Sequence, residues 1–235
     1  MKYLSGFYWE RGRSKANQDS IVLQQVVTDY GRILLAAVSD GIGGLSEGEN
    51  ASGYIGEKMV ENFYSQLIPI TGKRRKKHLL LRSLPRCFYQ IRQTFIQYGQ
   101  EREIMLGATV SLLLLWKRNY LIFHLGDSRI YHYCGKKYKI LTTDHSDGKN
   151  GLTKCLGSFP FQKPDIRFGK IRGKCGFLLC SDGFYRKQSV ENLALLSPEQ
   201  AGGEEQIERR LEEMGQAALR RGEKDNMSAV YIKVC

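Results

Sequence analysis

No stretch of this chain approaches the roughly 20 consecutive apolar residues that a membrane span needs, and its longest apolar runs have the length of strands. The first residues, Met1-Lys2-Tyr3-Leu4-Ser5-Gly6, hold no apolar signal core, so a cytoplasmic location is expected. Its five prolines are too few for long disorder. The six cysteines are scattered, without a CxxC pair, which fits reduced thiols better than a disulfide framework or a zinc site. Four dispersed histidines form no cluster, and His145 reads as a residue that anchors its own loop. There is no P-loop and no G-x-G-x-x-G fingerprint, and neither a G-x-S-x-G elbow nor a Ser-His-Asp order supports a serine nucleophile. With no internal repeat, low-complexity tract or linker, one domain covering residues 1–235 is expected.

What is present is a globular composition, 42% hydrophobic, and a formal charge of +12. The charge permits an anionic partner without naming one. Much of the excess sits in Lys73-Arg74-Arg75-Lys76-Lys77-His78. With no aromatic residues interleaved, that run reads as a solvated loop or first helical turn before it reads as a docking patch, and no nucleic-acid partner is expected.

Apolar patterning outlines the elements. Strands are expected over 3–10, 20–27 and 33–38, followed by a helix over 48–67 with Ala51, Ile55, Met59 and Phe63 on one stripe. A second helix is expected from Leu84 to Tyr98, with Pro85 in its first turn. Strands follow around 108–116, 120–125, 130–133, 138–141, 166 and 176–180, then a helix over 207–218 and a closing strand over 227–234. Helices in two blocks among mostly antiparallel strands imply a sheet core covered by helices, an α+β class.

The chemistry is signalled by acids at strand ends. The apolar run Ile33 to Val38 leads through Ser39 to Asp40 and a glycine cluster, Gly41-Ile42-Gly43-Gly44. The same grammar recurs at Cys180-Ser181-Asp182-Gly183 and, varied, at Leu125-Gly126-Asp127-Ser128, while Asp225 precedes the last apolar run. Asp before Gly is common turn chemistry on its own. Four such acids from remote segments suggest one rim for hard cations, Mn²⁺ or Mg²⁺, which prefer oxygen ligands. A two-metal site of that kind activates water and clamps both oxygens of a phosphoryl transfer. Arg13, with Arg11 second, is the candidate to hold the remaining phosphate oxygens.

These motifs resemble, in order and along almost the whole chain, the protein phosphatase 2C family of metal-dependent protein serine/threonine phosphatases. Asn17-Gln18-Asp19-Ser20 and Val38 to Gly44 open the series, and Gly48-Glu49-Asn50-Ala51-Ser52 and Gly107-Ala108-Thr109 follow. Leu125 to Arg129, Thr143-Asp144-His145-Ser146, Leu152 to Gly157, Cys180 to Gly183 and Asp225-Asn226-Met227-Ser228 complete it. The resemblance implies a four-layer α/β/β/α sandwich, two mostly antiparallel sheets flanked by helices. It implies that Asp40 bridges two metals with the Gly41 carbonyl, that Asp182 and Asp225 complete the first metal site, and that Asp127 serves a third ion with Asp182. Arg13 would bind the substrate phosphate and Asp19 would hold metal-bound water, with Gln18 and Asn226 as further neighbours of the site. The implied reaction is direct attack by water on phosphoserine or phosphothreonine of proteins, with two or possibly three Mn²⁺ or Mg²⁺ ions.

Several departures from the family pattern bear on activity. Gln18 stands where relatives often carry Glu, and a neutral amide is the poorer ligand. Arg13 lies six positions before Asp19 instead of five, with Ser14 in the nominal place. The flap from Ser146 to Leu152 is short, and Ile42 stands where some relatives place a histidine general acid. The expectation is a monomeric, bacterial-type signalling phosphatase opposing a Ser/Thr kinase. The rivals are a catalytically weak relative acting as a binding or regulatory module, and a phosphoesterase for small molecules.

Overall fold

Ile33 to Val38 reads as an unbroken apolar run because both faces of its strand are covered. In the computed structural model, which describes residues 1–42, 47–148, 151–158 and 160–235, this run lies in strand β3 (Gly31–Asp40). Successive side chains of a strand point to opposite faces. Ile33, Leu35 and Ala37 therefore meet helices, while Leu34, Ala36 and Val38 meet a second sheet. Gly43 and Gly44 of the central motif, and Lys149-Asn150 of the short flap, lie outside the described residues.

Two five-stranded antiparallel sheets result. One has the order β2 (Asp19–Thr28), β3, β4 (Val110–Trp116), β5 (Asn119–Leu125), β8 (Asp165–Lys170). The other runs β1 (Tyr3–Glu10), β10 (Met227–Val234), β9 (Cys175–Cys180), β6 (Arg129–Cys134), β7 (Lys137–Ile140). Their facing sides enclose Leu113, Leu115, Ile122, Phe177, Leu179, Val230 and Ile232.

Helices cover both outer faces, which gives the four-layer α/β/β/α sandwich. On the β3 sheet lie α1 (Gly48–Asn62), which continues as a π-helical turn over Phe63–Leu67, then α2 (Ile68–Thr71) and α3 (Lys76–Arg102). Phe88 of α3 stacks on Phe123 of β5 with ring centroids 4.0 Å apart, and burying a side chain of this kind contributes ~1.5–3 kcal/mol. On the other sheet α6 (Glu204–Arg220) lays Ile207, Leu211 and Met214 against Tyr131, Tyr133 and Leu178. Two short helices, α4 (Asp182–Tyr185) and α5 (Val190–Ala194), complete that layer. Among the described residues no helix is long and apolar enough to cross a membrane.

The second helix begins eight residues earlier than its sequence suggests, so Pro85 falls in its interior and not in its first turn. Proline there removes one hydrogen bond, to the carbonyl four residues back. That residue, Leu81, is 46% exposed, so water can satisfy its carbonyl. Leu80 and Leu84 extend the buried stripe of Cys87, Phe88, Ile91 and Phe95 and carry the helix across the proline.

Candidate active site

The β2–β3 register places Asp19 directly opposite Asp40, at the end of the sheet where both strands stop. Asp19 is 2% exposed. Ser181, the residue that precedes α4, donates its Oγ–H to Asp19 Oδ2 at 2.8 Å, and Ser181 Oγ in turn accepts the backbone N–H of Ser228 at 2.9 Å. Asp19 Oδ1 is buried with no hydrogen-bond partner among the described residues. Burial, reinforced by the charge of Asp225, pushes the Asp19 carboxyl up to about 6, against the opposing hydrogen bonds.

Asp40 is pushed well above the carboxylate range by burial first and then by Asp19, Asp182, Asp225 and Asp127. Asp182 rises to about 7, from burial and the neighbouring Asp127 charge, and Asp127 is raised chiefly by burial. Asp40 thus feels the charges of four other aspartates that come from remote stretches of the chain. Like charges raise a carboxyl in this way when they share its site.

Hydrogen bonds fix the backbone beneath them. Asp40 donates its N–H to Thr109 Oγ1 at 3.1 Å, and its carbonyl accepts Thr109 N–H at 2.8 Å. Thr109 Oγ1 pairs with Ser128 Oγ at 2.9 Å, beside Asp127. Gly41 donates its N–H to the Gln18 carbonyl at 3.0 Å and packs against Gly48 so closely that a Cβ would collide with the Gly48 carbonyl. His145 anchors its loop as expected: its Nδ1 accepts Gly126 N–H at 3.1 Å, while its N–H donates to the Gly126 carbonyl at 2.8 Å. Arg129 grips Asp144 through Nε and Nη2, at 3.0 and 2.7 Å, and lies 3.9 Å over the Tyr185 ring.

The entry loop is held from the other side. Asn226 Oδ1 accepts Gln18 N–H at 2.8 Å, and its Nδ2 donates to the carbonyls of Arg11 and Ala16 at 2.8 and 3.0 Å. Asn226 is thus a clasp on the loop, and its side chain is committed to backbone. Gln18 turns its amide outward to Glu49 Oε2 at 3.2 Å. Arg13 is exposed, with its N–H bonded to the Lys224 carbonyl at 2.9 Å beside Asp225. Among the described residues no hydrogen bond or ion pair brings its guanidinium to the acids.

A different arginine reaches them. Arg186 pairs with Asp182 through Nη2 and lies 3.6 Å from Asp225 Oδ2 through Nη1. It stands four residues after Asp182, spacing that puts the two on one helical face, but α4 is too short to show any apolar period in the sequence. Among the described residues no three acidic, histidine or cysteine side chains are set to grip a cation together, and Asp182 and Asp225 face the guanidinium instead.

Residues 10–229 match the family model described as protein phosphatase 2C. The chain belongs to that family. A phosphatase 2C fold is also the structural result: the serine/threonine phosphatase Stp1 from Staphylococcus aureus superposes with a TM-score of 0.83, at 20% identity over 100% of this chain and 96% of that one. The catalytic domain of the phosphatase PstP, crystallised with two manganese ions, superposes at 0.79, with 22% identity over 99% of each chain. A Mycoplasma genitalium protein, provisionally named a protein phosphatase, is 29% identical over 180 residues, 65% of this chain and 67% of its own length. The chain is accordingly a protein phosphatase of the 2C family.

The acids suit the ions such an enzyme uses. The donor set is all oxygen, and it includes a buried carboxylate oxygen on Asp19 with no hydrogen-bond partner among the described residues.

Proposed function

We propose that this phosphatase hydrolyses phosphoserine and phosphothreonine of proteins with two or three Mn²⁺ or Mg²⁺ ions. The observation that carries the reading is the register-opposed pair Asp19 and Asp40 at one end of the sandwich, where Asp19, Asp182, Asp225 and Asp127 all add to the burial that raises the Asp40 carboxyl. Asp40, Asp182, Asp225 and the Gly41 carbonyl would hold two ions, and Asp127 with Asp182 a third. Divalent ions there supply a water of lowered pKa and neutralise phosphate charge.

The chain's own residues supply the remaining work. Asp19, held by Ser181, takes a hydrogen bond from the attacking water and aligns it with the phosphorus. Asn226 fixes the loop from which Arg13 extends to the phosphate oxygens. Ile42 offers no proton, so solvent protonates the departing serine or threonine oxygen. The enzyme acts as a single catalytic domain and a monomer in the cytoplasm, on the substrates of a Ser/Thr kinase.

The test is a substrate panel with saturating Mn²⁺: a phosphothreonine peptide, a phosphoserine peptide, nucleoside mono- and triphosphates, and p-nitrophenyl phosphate. The reading expects the peptides to exceed the nucleotides in kcat/KM by at least about tenfold, some 1.4 kcal/mol of differential transition-state binding. Preference for a nucleotide would replace it with the small-molecule reading. No turnover of any substrate would leave a binding module, in line with the amide of Gln18.

A further inference from the structure

The basic run starting at Lys73 takes no part in the site described above, yet it belongs to a larger feature. Residues 62–100 contain eight Lys and Arg and no Asp or Glu. Beside this segment a cleft of about 690 Å³ separates α1 from α3. Lys58, Glu61, Lys73, Arg82 and Arg86 supply its charges. Its one acid is neutralised, since Lys58 Nζ pairs with Glu61 Oε2 at 2.7 Å. Lys73, Arg82 and Arg86 are exposed, and among the described residues none of their side chains forms an ion pair or hydrogen bond. Arg82 and Arg86 stand four apart, so they line one face of α3. Three unpaired cations in one concave wall are charge without a partner.

We propose that this cleft docks an acidic, extended segment of a phosphoprotein substrate. This inference rests on the proposed phosphatase reading for the word substrate, and on the cleft alone for the acidic segment. Two observations select a peptide over other polyanions. Asn62 lines the cleft, and its Oδ1 is buried with no hydrogen-bond partner among the described residues; a peptide backbone presents an N–H for that acceptor at almost every residue, whereas phosphodiester groups present none. The site is a cleft between two helices, while a lipid surface needs a convex or flat basic face.

The cleft also lies on the way out of the active site. Helix α1 starts at Gly48, against Gly41, and its cleft residues Tyr54 and Asn62 follow 6 and 14 positions later. At 1.5 Å per helical residue they lie about 9 and 21 Å along the axis. An extended peptide covers that in roughly three to six residues. Carboxylates should therefore matter at that spacing from the phosphorylated residue.

The experiment compares the full wild-type chain with Lys73→Ala/Arg82→Ala/Arg86→Ala. Fluorescence anisotropy of a labelled, unphosphorylated Asp/Glu-rich peptide measures docking without catalysis. The proposal expects salt-sensitive binding that the triple variant weakens about tenfold, the sum of three partly exposed pairs. Mn²⁺-dependent kinetics should show KM for an acid-tailed phosphopeptide rising by a similar factor at constant kcat, with p-nitrophenyl phosphate unaffected. Equal peptide binding by both proteins overturns the proposal. So does tighter binding of single-stranded RNA, or of phosphatidylserine vesicles, through the same three residues. If p-nitrophenyl phosphate is not hydrolysed at all, the phosphatase reading fails while the anisotropy still decides the cleft.

Discussion

Asp19→Asn should make the metal-free protein more stable while it disables the enzyme. The Asp19 carboxyl is 2% exposed and pushed from its ordinary 3.8 up to about 6. At ~1.4 kcal/mol for each pH unit of that difference, keeping it ionised costs the native state about 3 kcal/mol at pH 8. Asparagine keeps an oxygen to accept from Ser181 and has no charge to bury. A gain of that size shifts Tm upward by roughly 6–12 °C in a protein of this length. The sign with pH follows. Between about 4 and 6 the native state still holds the Asp19 proton that the unfolded chain has released, so wild-type stability falls as pH rises and the loss is complete above about 6. The variant should lose that part of the slope. Thermal unfolding in EDTA at pH 5 and pH 8 measures both effects. An unchanged or lower Tm for the variant at pH 8, or an undiminished pH slope, would refute the argument that these carboxylates strain the empty site.

Two further outcomes follow from the same geometry. Arg186→Gln should tighten Mn²⁺ several-fold by calorimetry, because the ion no longer displaces a guanidinium from Asp182 and Asp225, and should lower the Tm of the metal-free protein; an unchanged Kd would remove Arg186 from the site's energetics. Gly41→Ala forces a Cβ into the Gly48 carbonyl and should cost about 1–3 kcal/mol of stability; denaturant unfolding at the wild-type midpoint would contradict that close approach.

How far the sequence shows this depends on whether a feature is periodic. The run Ile33 to Val38 marks a doubly covered strand, and the stripe through Ile55, Met59 and Phe63 marks the buried face of α1, because each repeats over enough residues to be seen. Asp40, Asp127 and Asp182 stand out as acids closing apolar runs, and Asp225 as one that precedes the last run. Register does not stand out: nothing local says that Asp19 faces Asp40, which is set by the β2–β3 pairing. Helix α4 spans four residues, about one turn, so Arg186 and its pairing with Asp182 stay hidden. The start of α3 is hidden by Pro85, which argues locally for a boundary that the packing of Leu80 and Leu84 overrides. Arg13 sits on a loop clasped by Asn226 next to Asp225, a tie between segments that nothing local in the sequence announces.

The central claim is that the aspartate rim holds the ions on which turnover depends. Its most direct test is one Mn²⁺ titration read two ways, by calorimetry and by hydrolysis of a phosphothreonine peptide, for the wild type and Asp182→Asn. The account predicts that wild-type binding and turnover rise together and vanish with chelator, and that the variant stays folded, binds Mn²⁺ at least about tenfold more weakly and turns over little. Wild-type turnover in the variant, or in excess chelator, would contradict it.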